Sequence, residues 1–235
     1  MANDYFQFKQ FTLRQDRCAM KVGTDGVLLG AWADLTDTHR LLDIGTGTGL
    51  IAIMAAQRNP ELQIDAIEID PAACKQAKEN VQDCPWKEKI QVFQGRVQDF
   101  KQDYLYDIIT CNPPFFINST QNPERSKTMA RHCSTLSHED ILNVSEKLLS
   151  PEGKICIILP IPEAEHFITL AQSHKWFINK FTTICPTPNK PPKRKLMEIS
   201  KRQKDIVNET ITLETERHVY HESYARLTKD FYLKL

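Results

Sequence analysis

A glycine loop set between a strand and a helix places the tightest limit on what this chain can fold into. Arg40-Leu41-Leu42-Asp43-Ile44 reads as a short buried strand, Gly45-Thr46-Gly47-Thr48-Gly49 follows at once, and Leu50 to Arg58 runs on as an apolar helix. That order makes the first unit of a nucleotide-binding α/β sheet, with a helix start lying beyond the strand's carboxyl end. The spacing separates two kinds of loop. A dinucleotide fingerprint needs G-x-G-x-x-G, but position 50 is leucine and the third glycine arrives one place early, at Gly49. The glycines allow a ligand to approach the backbone closely, where a Cβ would obstruct it.

The next units continue the pattern. Gln63 to Asp70 alternates, with Ile64, Ala66, Ile67 and Ile69 apolar, and ends in Glu68-Ile69-Asp70-Pro71. Glu68 lies about 20 residues past the glycines, where nucleoside-binding folds set a carboxylate on the ribose hydroxyls. Asp70 suits a helix cap, with Pro71 in the favoured first turn. A third strand, Lys89 to Gln94, leads into Gly95-Arg96-Val97-Gln98-Asp99-Phe100, where Asp99 is either a ligand contact or a plain turn residue.

A fourth apolar run, Asp107 to Cys111, stops abruptly at Asn112-Pro113-Pro114-Phe115. Proline cannot donate to a sheet ladder, and each residue before a proline is pushed away from the helical region. The result is a stiff, extended turn at a strand's carboxyl end, where open α/β sheets bind ligands. It presents a side-chain amide, proline carbonyls and an aromatic face, which together suit a flat base bearing an exocyclic amino group. An ordinary strand-to-loop turn with a surface phenylalanine would read the same way in isolation.

The remaining segments are less specific. Phe6, Phe8, Phe11 and Leu13 alternate weakly, as in a short hairpin covering a core. Gly23 and Gly26 bracket a turn before the apolar stretch to Trp32, with Thr24 or Asp25 as its N-cap. The long polar stretch Asn118 to Ser134 holds Arg125, Lys127 and Arg131 and is expected to meet a substrate. Ser137 to Leu149 reads as an amphipathic helix opening in capping-box order, Pro151-Glu152-Gly153 as a turn, and Lys154 to Leu159 as a buried strand. Glu163 to Lys175 reads as a helix whose His166 and His174 are lone surface histidines. Trp176 to Cys185 and Lys195 to Ser200 read as the last strands. They are joined by a proline-stiffened basic linker holding Lys190, Lys193 and Arg194, and with Lys195 it could track phosphates. The aromatic tail, with Tyr224 and Phe231-Tyr232-Leu233, is expected to dock on the core.

Composition narrows the classes. With 235 residues, 41% of them hydrophobic, the chain can bury one full α/β core. Lysine plus arginine and aspartate plus glutamate both number 30, so any polyanion contact must come from a local patch. Seven cysteines without CxxC spacing argue for reduced thiols and against a zinc site or disulfide framework. No stretch approaches the roughly 20 apolar residues of a membrane span, and the start has no apolar signal core. A soluble, cytoplasmic protein is expected.

The G-x-G-x-G loop led by Asp43, the strand-end acid Glu68, the loop of Asp99 and Asn112-Pro113-Pro114-Phe115 together resemble the amino-methyltransferase branch of class I S-adenosylmethionine methyltransferases. The run from Arg17 to Trp32, with Phe8-Lys9-Gln10-Phe11 and the closing aromatics, resembles the bacterial tRNA1(Val) adenine N6-methyltransferase family across nearly the whole chain. The resemblance implies a Rossmann-like α/β fold: a mostly parallel seven-stranded sheet, one antiparallel strand near the C-terminus, and helices on both faces. It implies one domain over 1–235, with 1–39 capping a core of 40–235.

S-adenosylmethionine is the implied cofactor. Lys21, Asp43, Gly45, Thr46, Gly47, Gly49, Glu68, Ile69, Asp99 and Asn112 are implied to contact it, while Thr24 and Asp25 are implied to close over its methionine part. The partner implied is a tRNA, methylated on the adenine next to the anticodon by Asn112, Pro113, Pro114 and Phe115, by a monomer without metal. Two related chemistries stay open: guanine N2 of ribosomal RNA and a protein glutamine side chain. The accessory or helical domains those enzymes carry have no counterpart in the roughly 40 residues ahead of the first core strand.

Overall fold

The computed structural model describes residues 3–114 and 136–234, so Phe115, Arg125, Lys127 and Arg131 lie outside the described residues. The chain opens with an antiparallel hairpin, β1 (Tyr5–Gln7) and β2 (Thr12–Arg14), which buries Phe8, Phe11 and Leu13. Helix α1 (Thr24–Trp32) follows, and then three βα-type units: β3 (Arg40–Ile44) with α2 (Leu50–Arg58), β4 (Gln63–Glu68) with α3 (Pro71–Gln82), and β5 (Ile90–Gln94) leading to β6 (Tyr106–Cys111). The second half runs α4 (His138–Leu148), β7 (Leu149–Pro160), α5 (Ile161–Ser173), β8 (Phe177–Cys185), β9 (Arg194–Ser200), β10 (Val207–Thr212), β11 (Glu214–Glu216), β12 (Val219–Tyr220) and α6 (Glu222–Thr228).

Among the described residues, eight strands form one sheet in the order β10-β8-β9-β7-β6-β3-β4-β5. Neighbours from β7 through β5 are parallel, β9 is antiparallel to both β7 and β8, and β10 is parallel to β8. The sequence expectation of seven strands missed β10. Only Ile211 of its residues is buried, so backbone pairing at the sheet edge holds it and no side-chain pattern marks it.

The chain leaves β3 toward β4 and β5 and returns on its other side to β6, so the switch point of the topology falls between β3 and β6. Register pairs Ile44 with Cys111 and with Ile67. Gly45 and Asn112 therefore leave the sheet side by side.

Both faces of the sheet are covered. One cluster joins β1–β2, α1, α2 and the C-terminal Tyr224 and Phe231, while the other packs α4 and α5 over Ile109, Ile157 and Met197. Helices α1 and α2 approach closely: a Cβ built on Gly30 would meet Met54 Sδ at 2.8 Å, and one on Gly26 would meet Leu50 Cδ2 at 2.9 Å. No helix among the described residues is long and apolar enough to cross a membrane.

Local details follow the side chains. Asp70 caps α3 by accepting from the Ala73 amide at 2.8 Å, and Ser137 with Asp140 forms a reciprocal capping box on α4. Two expectations change. Pro151-Glu152-Gly153 is not a turn between elements but an irregularity within β7, where Tyr106 pairs with Leu149 and Ile108 already pairs with Lys154. The extra residues are tolerated where proline and glycine cannot support regular pairing. Neither Thr24 nor Asp25 is the N-cap of α1. Gly23 is, and having no side chain it leaves the first amides without a side-chain cap, while Asp25 sits inside the first turn and pairs with Arg194.

Candidate active site

A cleft of about 360 Å³ opens over the carboxyl ends of β3 and β6, lined by the glycine loop, the segment Met20–Gly26, Asn112 and Arg194. Gly45 and Gly47 have φ of +69° and +58°, a region that favours glycine, and no atom lies within 4 Å of a Cβ built on either. The loop is pinned from below: Gly45 and Thr46 donate backbone hydrogen bonds to the Ile67 carbonyl at 2.9 and 3.1 Å. Glu68 is nearly buried, and its carboxylate accepts from the Gly47 amide at 2.9 Å and the Asp70 amide at 3.0 Å. It is thereby held beside the loop with lone pairs to spare.

Asp43 is fully buried under the loop. Its Oδ1 accepts from Thr110 Oγ1 at 2.8 Å, while Oδ2 has no hydrogen-bond partner among the described residues. Burial pushes its carboxyl up to about 6, against the pull of the Thr110 hydrogen bond and with added repulsion from Glu68.

The first turn of α1 forms the opposite wall. Its uncapped amides lie by Thr24, and Asp25 Oδ2 accepts from Arg194 Nε at 2.8 Å, both side chains half-buried. This pair joins two residues that sequence reasoning had assigned to different tasks, Asp25 to a cofactor and Arg194 to RNA. Lys21 lines the same cleft and donates to the Asn3 carbonyl at 3.0 Å. Lys190 and Lys193 stay exposed on the β8–β9 connection, and Lys195 sits over the Phe181 ring at 4.9 Å. A narrow crevice beside the loop is lined by Ile44, Ile67, Ile69, Gly95, Val97 and Gln98. Asp99 is outside that lining, exposed and paired with Arg96 at 3.8 Å.

Asn112 stands at the back of the main cleft. Its Oδ1 is buried and has no hydrogen-bond partner among the described residues, and a Cβ on Gly26 would lie 3.8 Å from its Nδ2. Behind it, Pro113 and Pro114 wall a second cavity of about 400 Å³, shared with Leu136, His138, Glu163 and His166. The Asn-Pro-Pro turn thus separates two cavities.

Sequence reasoning missed the residues that carry the N-terminal segment to the cleft. Asn80 of α3 donates to the Thr48 and Arg14 carbonyls and accepts from the Arg14 amide, and Gln76 accepts from the Arg17 amide. Both are buried amides on a helix face. The only sequence signal was a polar residue at positions where apolar spacing was due.

A parallel sheet with its switch point at an open glycine cradle and buried acids at the ends of β3 and β4 defines a class I S-adenosylmethionine-dependent methyltransferase. Residues 23–172 match the model of the methyltransferase small domain family. The chain is 48% identical to the tRNA1(Val) (adenine(37)-N6)-methyltransferase of Parabacteroides distasonis and 44% identical to that of Trichodesmium erythraeum, in each case over the full length of both chains. It belongs to that tRNA methyltransferase family. Among solved structures, it superposes on a predicted O-methyltransferase from Agrobacterium tumefaciens with a TM-score of 0.69 at 18% identity, covering 88% of this chain and 96% of that one. The glycopeptide N-methyltransferase MtfA in complex with sinefungin gives 0.57 at 12% identity, covering 77% and 89%. Both show the fold alone.

Proposed function

We propose that the chain methylates the exocyclic N6 of adenine 37, next to the anticodon, in tRNA1(Val). The observation that carries this reading is the buried Oδ1 of Asn112, without a hydrogen-bond partner among the described residues and set between the cleft and the cavity behind Pro113 and Pro114. The names of the full-length relatives supply the substrate.

An aryl amine is a poor nucleophile because its lone pair is delocalised into the ring. In this reading Asn112 Oδ1 and the Pro113 carbonyl accept its two hydrogens and hold the nitrogen toward tetrahedral geometry, with its lone pair aimed across the turn. S-adenosylmethionine supplies the electrophilic methyl group. The acceleration comes from orientation and preorganised dipoles. No metal or strong base is required, since the alkylated ammonium loses its proton readily. Phe115 is assigned to stack on the base once it leaves the anticodon-loop stack.

On the donor side, Gly45, Thr46, Gly47 and Gly49 cradle the cofactor, Glu68 takes the ribose hydroxyls, and Asp43 lies toward the amino acid end. Lys21, Thr24 and Asp25 close over the methionine part, with Arg194 holding Asp25 in place. Ile69 and Gln98 flank the adenine, and Gln98 displaces Asp99 in that role. Arg125, Lys127, Arg131, Lys190, Lys193 and Lys195 are assigned to the tRNA. The reading treats 1–235 as one catalytic domain, supported by the core that residues of both termini share. A single copy carries every residue named, so a monomer suffices, and the cytoplasm is the proposed location.

The test is methyl transfer from labelled S-adenosylmethionine into total tRNA from a strain lacking the activity, followed by nucleoside analysis. N6-methyladenosine with the wild type and none with Asn112→Ala supports the reading. Methylated guanine, or labelling of ribosomal RNA or glutamine peptides in place of tRNA, overturns it.

A further inference from the structure

The wall of the second cavity opposite Pro113 and Pro114 carries a side-chain cluster that methyl transfer does not use. His138 is the first residue of α4, and Glu163 and His166 lie three residues apart in the opening turns of α5. One ligating atom from each of the three lies within 4.8 Å of the others. The Glu-x-x-His spacing turns both α5 side chains onto one helix face, the arrangement by which bundle helices present metal ligands. His138 is held in orientation, its ring edge-on to buried Phe167 with centroids 5.2 Å apart and planes at 90°. The His166 ring lies 5.7 Å from it. The Ser137–Asp140 capping box fixes the backbone from which His138 projects.

We propose that His138, Glu163 and His166 bind one divalent cation of the zinc type, with the fourth coordination position open to the cavity beside Pro113 and Pro114. Two imidazole nitrogens and one carboxylate form a donor set for a borderline ion, whereas magnesium and calcium prefer oxygen alone. Bonds of about 2.0–2.1 Å in a tetrahedron set ligand atoms about 3.3 Å apart. The ligating atoms now lie within 4.8 Å of one another, and half-buried Glu163 and exposed His166 are the side chains that must turn to close on the ion.

The bound ion cross-links the first turns of α4 and α5 and so stiffens the rim of the cavity from behind. It acts on the shape of the rim and takes no part in moving the methyl group. The histidine that reads as solitary in sequence acquires its partner only when α4 and α5 pack against each other.

The test uses the full-length protein freed of metal by chelation. Zn²⁺ is titrated against a chromophoric chelator, and Co²⁺ serves as the spectroscopic probe. One equivalent of Zn²⁺ is expected to bind and to raise the unfolding temperature, with Mg²⁺ unable to compete at equal concentration. Co²⁺ is expected to give ligand-field bands without the intense thiolate charge-transfer band that the seven cysteines would produce. His166→Gln, at an exposed position, should weaken Zn²⁺ about 100-fold and Glu163→Gln about tenfold. His138→Asn reports the third ligand, and the exposed His166 variant keeps the test sound if the His138 variant folds poorly. Zn²⁺ binding unchanged in His166→Gln and Glu163→Gln, a thiolate band, or no binding of one equivalent overturns the proposal.

Discussion

The two cavities on either side of Asn112-Pro113-Pro114 are built from different materials. The cleft over β3 and β6 is mostly backbone: a glycine loop with positive φ, an uncapped helix start and amides pinned by Glu68 and the Ile67 carbonyl. The second cavity is mostly side chain, with Leu136, His138, Glu163 and His166 contributed by α4, α5 and their approaches. A backbone-built site needs particular residues at consecutive positions, because only glycine tolerates the conformation and only a strand end aims the amides. A side-chain-built site needs only that distant elements pack in one way.

If the turn itself is where the two sides meet, Asn112→Ala should lower single-turnover methyl transfer about 10²–10³-fold with cofactor affinity nearly unchanged. A comparable loss of cofactor affinity would move Asn112 wholly to the donor side. Gly47→Ala tests the backbone claim. Its φ of +58° makes any Cβ cost about 1–2 kcal/mol of stability, and a Cβ projecting into the open cradle should weaken S-adenosylmethionine about tenfold. A tightly bound cofactor in that variant would mean that the loop does not approach it closely.

The next effect is read by pH. Burial holds the Asp43 carboxyl at about 6, above its ordinary 3.8, so the folded chain binds this proton more tightly than the unfolded chain. Its contribution to stability is complete below the ordinary value and is lost as pH rises through about 6. Relative to Asp43→Asn, the wild type should therefore lose about 1.4 kcal/mol of unfolding free energy between pH 5 and pH 8. Denaturant titrations giving a pH-independent difference would contradict this. The smallest effect concerns the Asp25–Arg194 pair. Arg194→Ala should raise KM for S-adenosylmethionine roughly three- to fivefold while leaving KM for tRNA nearly unchanged. The reverse pattern would return Arg194 to the RNA surface, where its basic neighbourhood in sequence had placed it.

Legibility followed the same division. The positions of the core strands along the chain, the Asp70 cap and the Ser137–Asp140 box were all readable, because each depends on residues within a few positions of one another. Strand β10 was not, since backbone pairing to β8 leaves no apolar alternation, and neither was the irregularity in β7, whose proline and glycine read as a turn. Asn80 and Gln76 were invisible as positioning groups because their partners lie about 60 residues away.

The sequence alone determined the class of fold, the glycine cradle, the strand-end acids and the Asn-Pro-Pro turn. These are local constraints of φ, hydrogen-bond capacity and hydrophobic period, and each is complete within a dozen residues. Tertiary structure alone decided that Arg194 meets Asp25 rather than staying on the basic linker, that Gln98 and not Asp99 lines the crevice, and that His166 meets His138. Those contacts depend on how the helices and the β8–β9 connection settle on the sheet, a sum of many small packing energies that no short stretch of chain encodes.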